Sequence, residues 1–295
     1  MIRAFRVAYD GRGFAGFQRQ PRARTVEGTL LEALADHGVV ARGDGPTHAT
    51  PPEYAAAGRT DAGVSAVAQT VACDAPEWLT PRAFNGQLPG SIRVWASADV
   101  PAGFHATHDA VRRTYRYFLY APSDEEASEP DGRDYSRFGP VVDDTRVHDA
   151  LDRLSGSHDV RNLTSDDEGT ERDVQATATR DGEFLVVDVS AGGFPRAFVR
   201  RLVGLVSAVG TGTAEPSFVD RVLDPEPLPG GRGVGPTPPE PLVLWDVAYD
   251  GVTFDVDREA AASAVGAFGE RYRAARRSAA VTDAILNRIG RQTGE

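Results

Sequence analysis

The sequence predicts an α+β protein made of two tandem ferredoxin-like units with antiparallel sheets. Three observations predict it. At 295 residues the chain exceeds a typical single core, which favours two packed lobes. Strand and helix patterns alternate through one β-α-β-α-β cycle and then a second. Long connections rich in acid, proline and glycine separate the patterned segments and read as surface loops.

In the first cycle residues 2–11, "IRAFRVAYDG", alternate apolar and polar side chains as a strand does. Residues 25–38, "TVEGTLLEALADHG", read as an amphipathic helix ending at Gly38. "AVAQTVACD" is a strand, and a hairpin is expected near residues 55–73. "TPRAFNGQL" is a short helix capped by Thr80, followed by the strand "SIRVWASADV". The second cycle comprises the strand "RRTYRYFLYAP", the helix "DDTRVHDALDRLSG" capped by Asp143 or Asp144, and the strand "FLVVDVSAGG". A helix over 194–212, "FPRAFVRRLVGLVSAVGTG", and a last strand, "PLVLWDVAYDG", complete it. The expected boundaries are 1–105 for the first lobe, 106–251 for the second, and 252–295 for an arginine-rich helical extension. "VAYDG" occurs at 7–11 and again at 247–251. One copy opens its lobe and the other closes its lobe, so the echo reads as coincidence rather than duplication.

Composition narrows the function. No run approaches the roughly 18 apolar residues of a membrane span, and the N-terminus begins directly as a strand without a secretory pattern, so no membrane partner and a cytoplasmic location are expected. Cys73 is the only cysteine, which leaves no thiolate cluster for zinc or iron-sulfur. There are 43 acidic against 32 basic residues, and every basic side chain is arginine. Acid excess ordinarily argues against nucleic acid, but net charge is not local charge. A salt-rich cytoplasm reconciles the two: acid keeps the surface soluble, and arginine is kept where a planar fork must grip carboxylate or phosphate.

Two motifs point elsewhere. Residues 11–16, "GRGFAG", match the dinucleotide fingerprint after a strand, which raises a nicotinamide-dependent oxidoreductase as an alternative. "FQRQPRAR" then follows where a helix should open, so a glycine hairpin is the preferred reading. His105 and His108 in "FHATH" lack a third ligand and read as capping or packing residues. No metal and no cofactor are expected.

The stretch "AGRTDAGVSA" carries the chemistry. An aspartate in such a turn ordinarily closes an Asx-turn on nearby amides. Here Arg59 lies two residues before Asp61, on the same side of an extended segment, and Gly58 and Gly63 let another backbone approach. Small flanking residues leave room above the carboxylate. This stretch closely resembles the signature of the TruA family of tRNA pseudouridine synthases. "YDGRGFAGFQRQ", "NGQLPGSIRV", "FHATHDAVRRTYRY" and "FVRRLVGLVSAVG" are similar to further segments of that family, in the right order, from residue 5 to about 250.

The resemblance implies two lobes meeting at a central RNA-binding cleft, and isomerisation of uridine to pseudouridine within tRNA. The bond from ring nitrogen to ribose breaks, the base turns, and a bond to ring carbon 5 replaces it. Nothing leaves and no electron is exchanged, which accords with the lack of cofactor motifs. By the match Asp61 is the catalytic carboxylate, whether it attacks the base, attacks the sugar or removes a sugar proton. Tyr115 would lie against the everted uracil, Arg59 would hold phosphate or fill the vacated stack, and Arg200 would pair with Asp61 and keep it ionised. The resemblance further implies action on the anticodon arm, at positions 38–40 in tRNA numbering, by a homodimer. A tRNA-binding protein without catalysis is the other alternative. The family commonly has histidine at Ser65, tryptophan at Phe17, arginine at Thr107 and glycine at Pro241; the Thr107 difference removes a phosphate contact.

The acid excess carries its own expectation. Transferred from concentrated KCl into dilute buffer, the protein is expected to lose its circular-dichroism signal cooperatively. A full folded signal in dilute buffer contradicts the salt adaptation.

Overall fold

Residues 1–43, 49–122, 141–228 and 234–293 are described by the computed structural model, with side chains through 289. The acidic loop at 123–139 lies outside them. The first cycle gives β1 (Ile2–Tyr9), α1 (Val26–Asp36), β2 (Ala55–Ala56), β3 (Ser65–Asp74), α2 (Pro81–Asn85) and β4 (Ile92–Asp99). The second gives β5 (Ala110–Tyr120), α3 (Asp144–Leu154), β6 (Gly156–Asp159), β7 (Glu171–Asp181), β8 (Phe184–Ala191), α4 (Phe198–Gly210), α5 (Ser217–Leu223) and β9 (Leu242–Tyr249). β10 (Asp255–Val256) and the long α6 (Arg258–Thr293) follow. The fold is α+β.

The ends of the helices follow from their residues. The Thr25 hydroxyl accepts from the Gly28 N–H at 3.2 Å at the start of α1, and Gly38, at φ +72°, lets the chain turn away after it. Thr80 caps α2 in the same way, with Pro81 at its first position. Asp143, rather than Asp144, caps α3 by accepting from Thr145 and Arg146. Asn85, at the end of α2, exchanges two side-chain hydrogen bonds with the Val94 backbone and so fastens this helix to β4.

The strands form one mostly antiparallel sheet in the order β10-β4-β1-β3-β9-β5-β8-β7-β6, with β2 beside β3. β1 lies between β3 and β4 and is buried on both faces along most of its length, as a central strand must be. The parallel contact of β3 with β9 is short: Ser65 faces Val243 and Ala66 faces Leu244. Two apolar clusters flank it. One gathers Phe5, Tyr9, Leu30, Leu34 and Phe84; the other gathers Leu151, Val187, Phe198, Leu202 and Val206. Tyr115 packs against both.

Three expectations change. β6 and β7 extend the sheet where no strand was expected, because β7 buries only Val174 and Ala176 and β6 has no apolar side chain to alternate. The helix expected over 194–212 begins only at Phe198, since Ala197 takes a left-handed conformation at φ 54°. The extension is not helical throughout: β10 first pairs with β4.

Arg6 ties the short β3–β9 joint together from β1. It is 8% exposed; its Nη1 donates to the Ala68 carbonyl at 3.0 Å and the Thr70 hydroxyl at 3.1 Å, and its Nη2 to the Val247 carbonyl at 2.7 Å. Arg6→Leu leaves these acceptors unpaired in the interior and is expected to lower unfolding free energy by about 3 kcal/mol. Chemical denaturation at fixed KCl measures this; an unchanged midpoint contradicts the role.

Candidate active site

The loop 57–64 joins β2 to β3, and main-chain bonds fix its shape. Fully buried Gln69 donates from Nε2 to the Gly58 carbonyl at 2.8 Å, and the Phe17 N–H donates to the Thr60 carbonyl at 3.0 Å. Thr60 also shares a 2.8 Å hydrogen bond with the Tyr9 hydroxyl. The turn is closed by the Val64 N–H on the Asp61 carbonyl at 3.2 Å and continues through Gly63 at φ +85°. The backbone thus closes its own turn, and the Asp61 carboxylate points elsewhere, so the Asx-turn reading is overturned.

The "GRGFAG" glycines explain the shape of the same loop. Gly11–Gly13 form a single 3-10 turn, and no helix opens until Val26. A Cβ on Gly11 would lie 2.0 Å from the Val64 carbonyl oxygen, and one on Gly16 would lie 3.0 Å from that of Thr60. These glycines let residues 11–16 lie directly on the Asp61 loop. With no helix N-terminus to receive a pyrophosphate, the nicotinamide alternative is overturned.

Asp61 is met from the other half of the sheet. The left-handed Ala197 sets the start of α4, and Arg200 in its first turn extends Nη1 to Asp61 Oδ2 at 3.2 Å. Arg200 Nε donates to the Thr237 carbonyl at 2.7 Å, which fixes the plane of its guanidinium. The next residue, Arg201, turns away to the Val234 carbonyl. Tyr115, on β5, presents its ring edge to Phe194 at 5.2 Å, and Phe194 stacks at 6.0 Å on Phe198. Burial pushes the Tyr115 phenol up to about 12, with Arg113 lowering it and Asp61 raising it, so it is neutral at physiological pH. Arg113 is itself buried, and donates to the carbonyls of Ala57, Thr107 and Gly192.

Asp61, Arg59, Tyr115 and Arg200 all line one open cleft of about 480 Å³. Arg59 is exposed and has no hydrogen-bond or ion-pair partner among the described residues. A second cavity of about 710 Å³ shares the Phe17, Arg59, Tyr115 and Phe194 wall and reaches His105 and His108. Those two rings lie tilted, 4.2 Å apart, and His105 Nδ1 accepts the Thr107 N–H. At the positions of departure, Ser65 accepts the Gly11 N–H, Phe17 is buried beside Tyr9, the Thr107 hydroxyl donates to the Ala56 carbonyl, and the Pro241 carbonyl accepts from Phe118.

Residues 150–250 match the family described as tRNA pseudouridine synthase. The chain is 57% identical to the tRNA pseudouridine synthase A of Haloarcula marismortui, over 97% of this chain and 99% of that protein. The chain belongs to the tRNA pseudouridine synthase A family. The protein of that name from Natronomonas pharaonis is 55% identical over 96% of this chain and 98% of its own length. One from Methanothrix thermoacetophila is 35% identical over 86% of each.

For a tRNA pseudouridine synthase A, the aromatic wall of Phe194 and Phe198 is the part of the cleft that sequence reasoning missed. The cue was the apolar pair on either side of the Pro195-Arg196-Ala197 turn, which reads as helix. The glycine contacts yield a test. Gly11→Ala forces the Val64 backbone, and with it Asp61, to shift; a displacement near 1 Å costs about 100-fold in rate. Single-turnover conversion of tRNA is expected to fall by that order with folding retained in KCl, and a wild-type rate contradicts the contact.

Proposed function

We propose that the cleft takes an everted uridine of the tRNA anticodon arm, at positions 38–40, and that Asp61 is the carboxylate that drives its isomerisation. Membership of the tRNA pseudouridine synthase A family makes the reaction a uridine-to-pseudouridine isomerisation. The observation that carries the residue assignment is the convergence of Asp61, Arg200, Tyr115 and unpartnered Arg59 on one nucleotide-sized cleft. Whichever of the three routes is taken, the carboxylate must touch base or ribose while water is held off the ring.

Everting a uridine from a stem costs a few kcal/mol. A neutral aromatic surface returns about 1–3 kcal/mol per stacked base, and Tyr115 beside Phe194 offers one. Arg59 is free to take a phosphate or to fill the gap left in the stack. Because the same base departs and returns, one carboxylate serves where glycosidases need two.

The two halves share a strand pattern: β4-β1-β3-β2 in one and β9-β5-β8-β7 in the other, each with two crossover helices. That pattern supports reading them as two ferredoxin-like lobes, 1–105 and 106–251, with the cleft between. A homodimer in the cytoplasm, with tRNA spanning both subunits, completes the proposal. No helix among the described residues is long and apolar enough to cross a membrane.

The test is incubation of unmodified tRNA transcript with wild type and with Asp61→Asn, followed by mapping of pseudouridine. Wild type is expected to modify positions 38–40 and the variant none; equal product from both overturns the assignment of Asp61.

A further inference from the structure

Among the described residues, the contacts that anchor α6 to the body lie along its first half. Ala260 and Ala264 are buried, Arg82 pairs with Glu259, and Arg271 Nη1 meets Asp10 Oδ2 at 2.8 Å. Asp10 opens the Gly11–Gly13 turn, and the residues just after that turn, Ala15 to Phe17, form one wall of the cleft. The helix therefore leaves the body at the edge of the site.

Beyond Arg271 it stands off the protein. From Tyr272 to Ile289 every side chain is exposed apart from the half-buried Asp283 and Asn287. Twenty-two residues at 1.5 Å each make an arm of about 33 Å. Its charge is the reverse of the chain's: five arginines against one aspartate over 272–293, in a protein of net charge −11. Many arginines elsewhere are paired, as in Arg3 with Asp99, Arg116 with Asp188, Arg153 with Asp220 and Arg161 with Asp159. Arg273, Arg276, Arg277 and Arg288 form no ion pair among the described residues. On a helix Arg273, Arg277 and Arg288 fall within about 60° of one another, a stripe roughly 22 Å long.

Most helical stability in proteins comes from packing of one face, so the exposed arm calls for a partner. Its other side carries Ile285, Leu286 and Ile289, which a second copy could cover. That partner fits less well. The middle of such a seam is Ala275, Ala279 and Thr282, and a like helix brings further arginines with a single aspartate to offset them.

We propose that the arginine stripe of α6 is a second RNA-binding element, which grips phosphates of the tRNA body while the cleft holds the target uridine. This rests on the tRNA reading above. The contact is to backbone rather than base edges, because the stripe offers only cationic forks to a partner at helix-width distance.

The test compares wild type with Arg273→Gln/Arg277→Gln/Arg288→Gln. Affinity is measured across a KCl series in which both proteins are folded, for full-length tRNA and for a fragment with only the target stem and loop. For full-length tRNA the triple variant is expected to flatten the slope of log affinity against log salt by roughly 2. The fragment, too short to reach the arm, is expected to give the same slope with both proteins. Unchanged slopes for full-length tRNA overturn the proposal. So does a halving of molecular mass in Leu286→Glu/Ile289→Glu, which assigns the arm to a second copy. Because the readout is binding, a wild type that binds tRNA but converts no uridine defeats the isomerase reading and leaves the arm to be judged by its slope.

Discussion

The Asp61–Arg200 ion pair spans the joint between the two halves of the sheet, and the site depends on how its ends are held. The pair itself holds little. With 44% of the Asp61 side chain exposed, it is worth at most about 1 kcal/mol, so it cannot draw the halves together. The scaffold does that: Arg6 bridges β1, β3 and β9 from within, and Gln69, Thr60 and the Gly11 and Gly16 contacts fix the Asp61 loop. On the other side Thr237 orients the Arg200 fork. A weak, exposed pair between two rigid supports suits a carboxylate that must act on a substrate rather than brace a fold.

The acidic composition and the RNA substrate are compatible on the same terms. Many surface arginines are spent on neighbouring aspartates, as Arg3, Arg116, Arg153 and Arg161 are. Around the cleft, among the described residues, Arg59 is unpaired and Arg113 is satisfied by carbonyls alone, so positive charge is left uncompensated where the proposed uridine would sit. In concentrated salt the long-range part of that attraction is screened to a few ångströms. On the proposed reading, stacking on Tyr115 and Phe194 and directional bonds from arginine then carry recognition, in keeping with an aromatic wall beside so few charges.

Much of this was legible in the sequence. Strands with apolar alternation, the Thr80 cap and Gly38 declared their elements locally. Asp61, Arg59, Tyr115 and Arg200 were legible through their motifs, and the cleft brings all four together. What escaped was non-local. β6 and β7 are polar strands at one end of the sheet with almost nothing buried to set a period. Ala197 carries no sign of its left-handed conformation, so the cleft turn was read as helix. The glycines of "GRGFAG" carry the sequence cue of a phosphate loop, and only their contact with Val64 and Thr60, far along the chain, reveals their use. Gln69 and Arg113 look like ordinary strand residues until the carbonyls they hold are seen.

The most direct measurement of the central interaction is on Arg200→Gln, comparing single-turnover isomerisation with tRNA affinity at one KCl concentration. If Arg200 serves to aim the Asp61 carboxylate, the rate falls about 100-fold while affinity stays within a few-fold of wild type. Weakened affinity with an unchanged rate at saturating tRNA would contradict this and make Arg200 a phosphate contact alone.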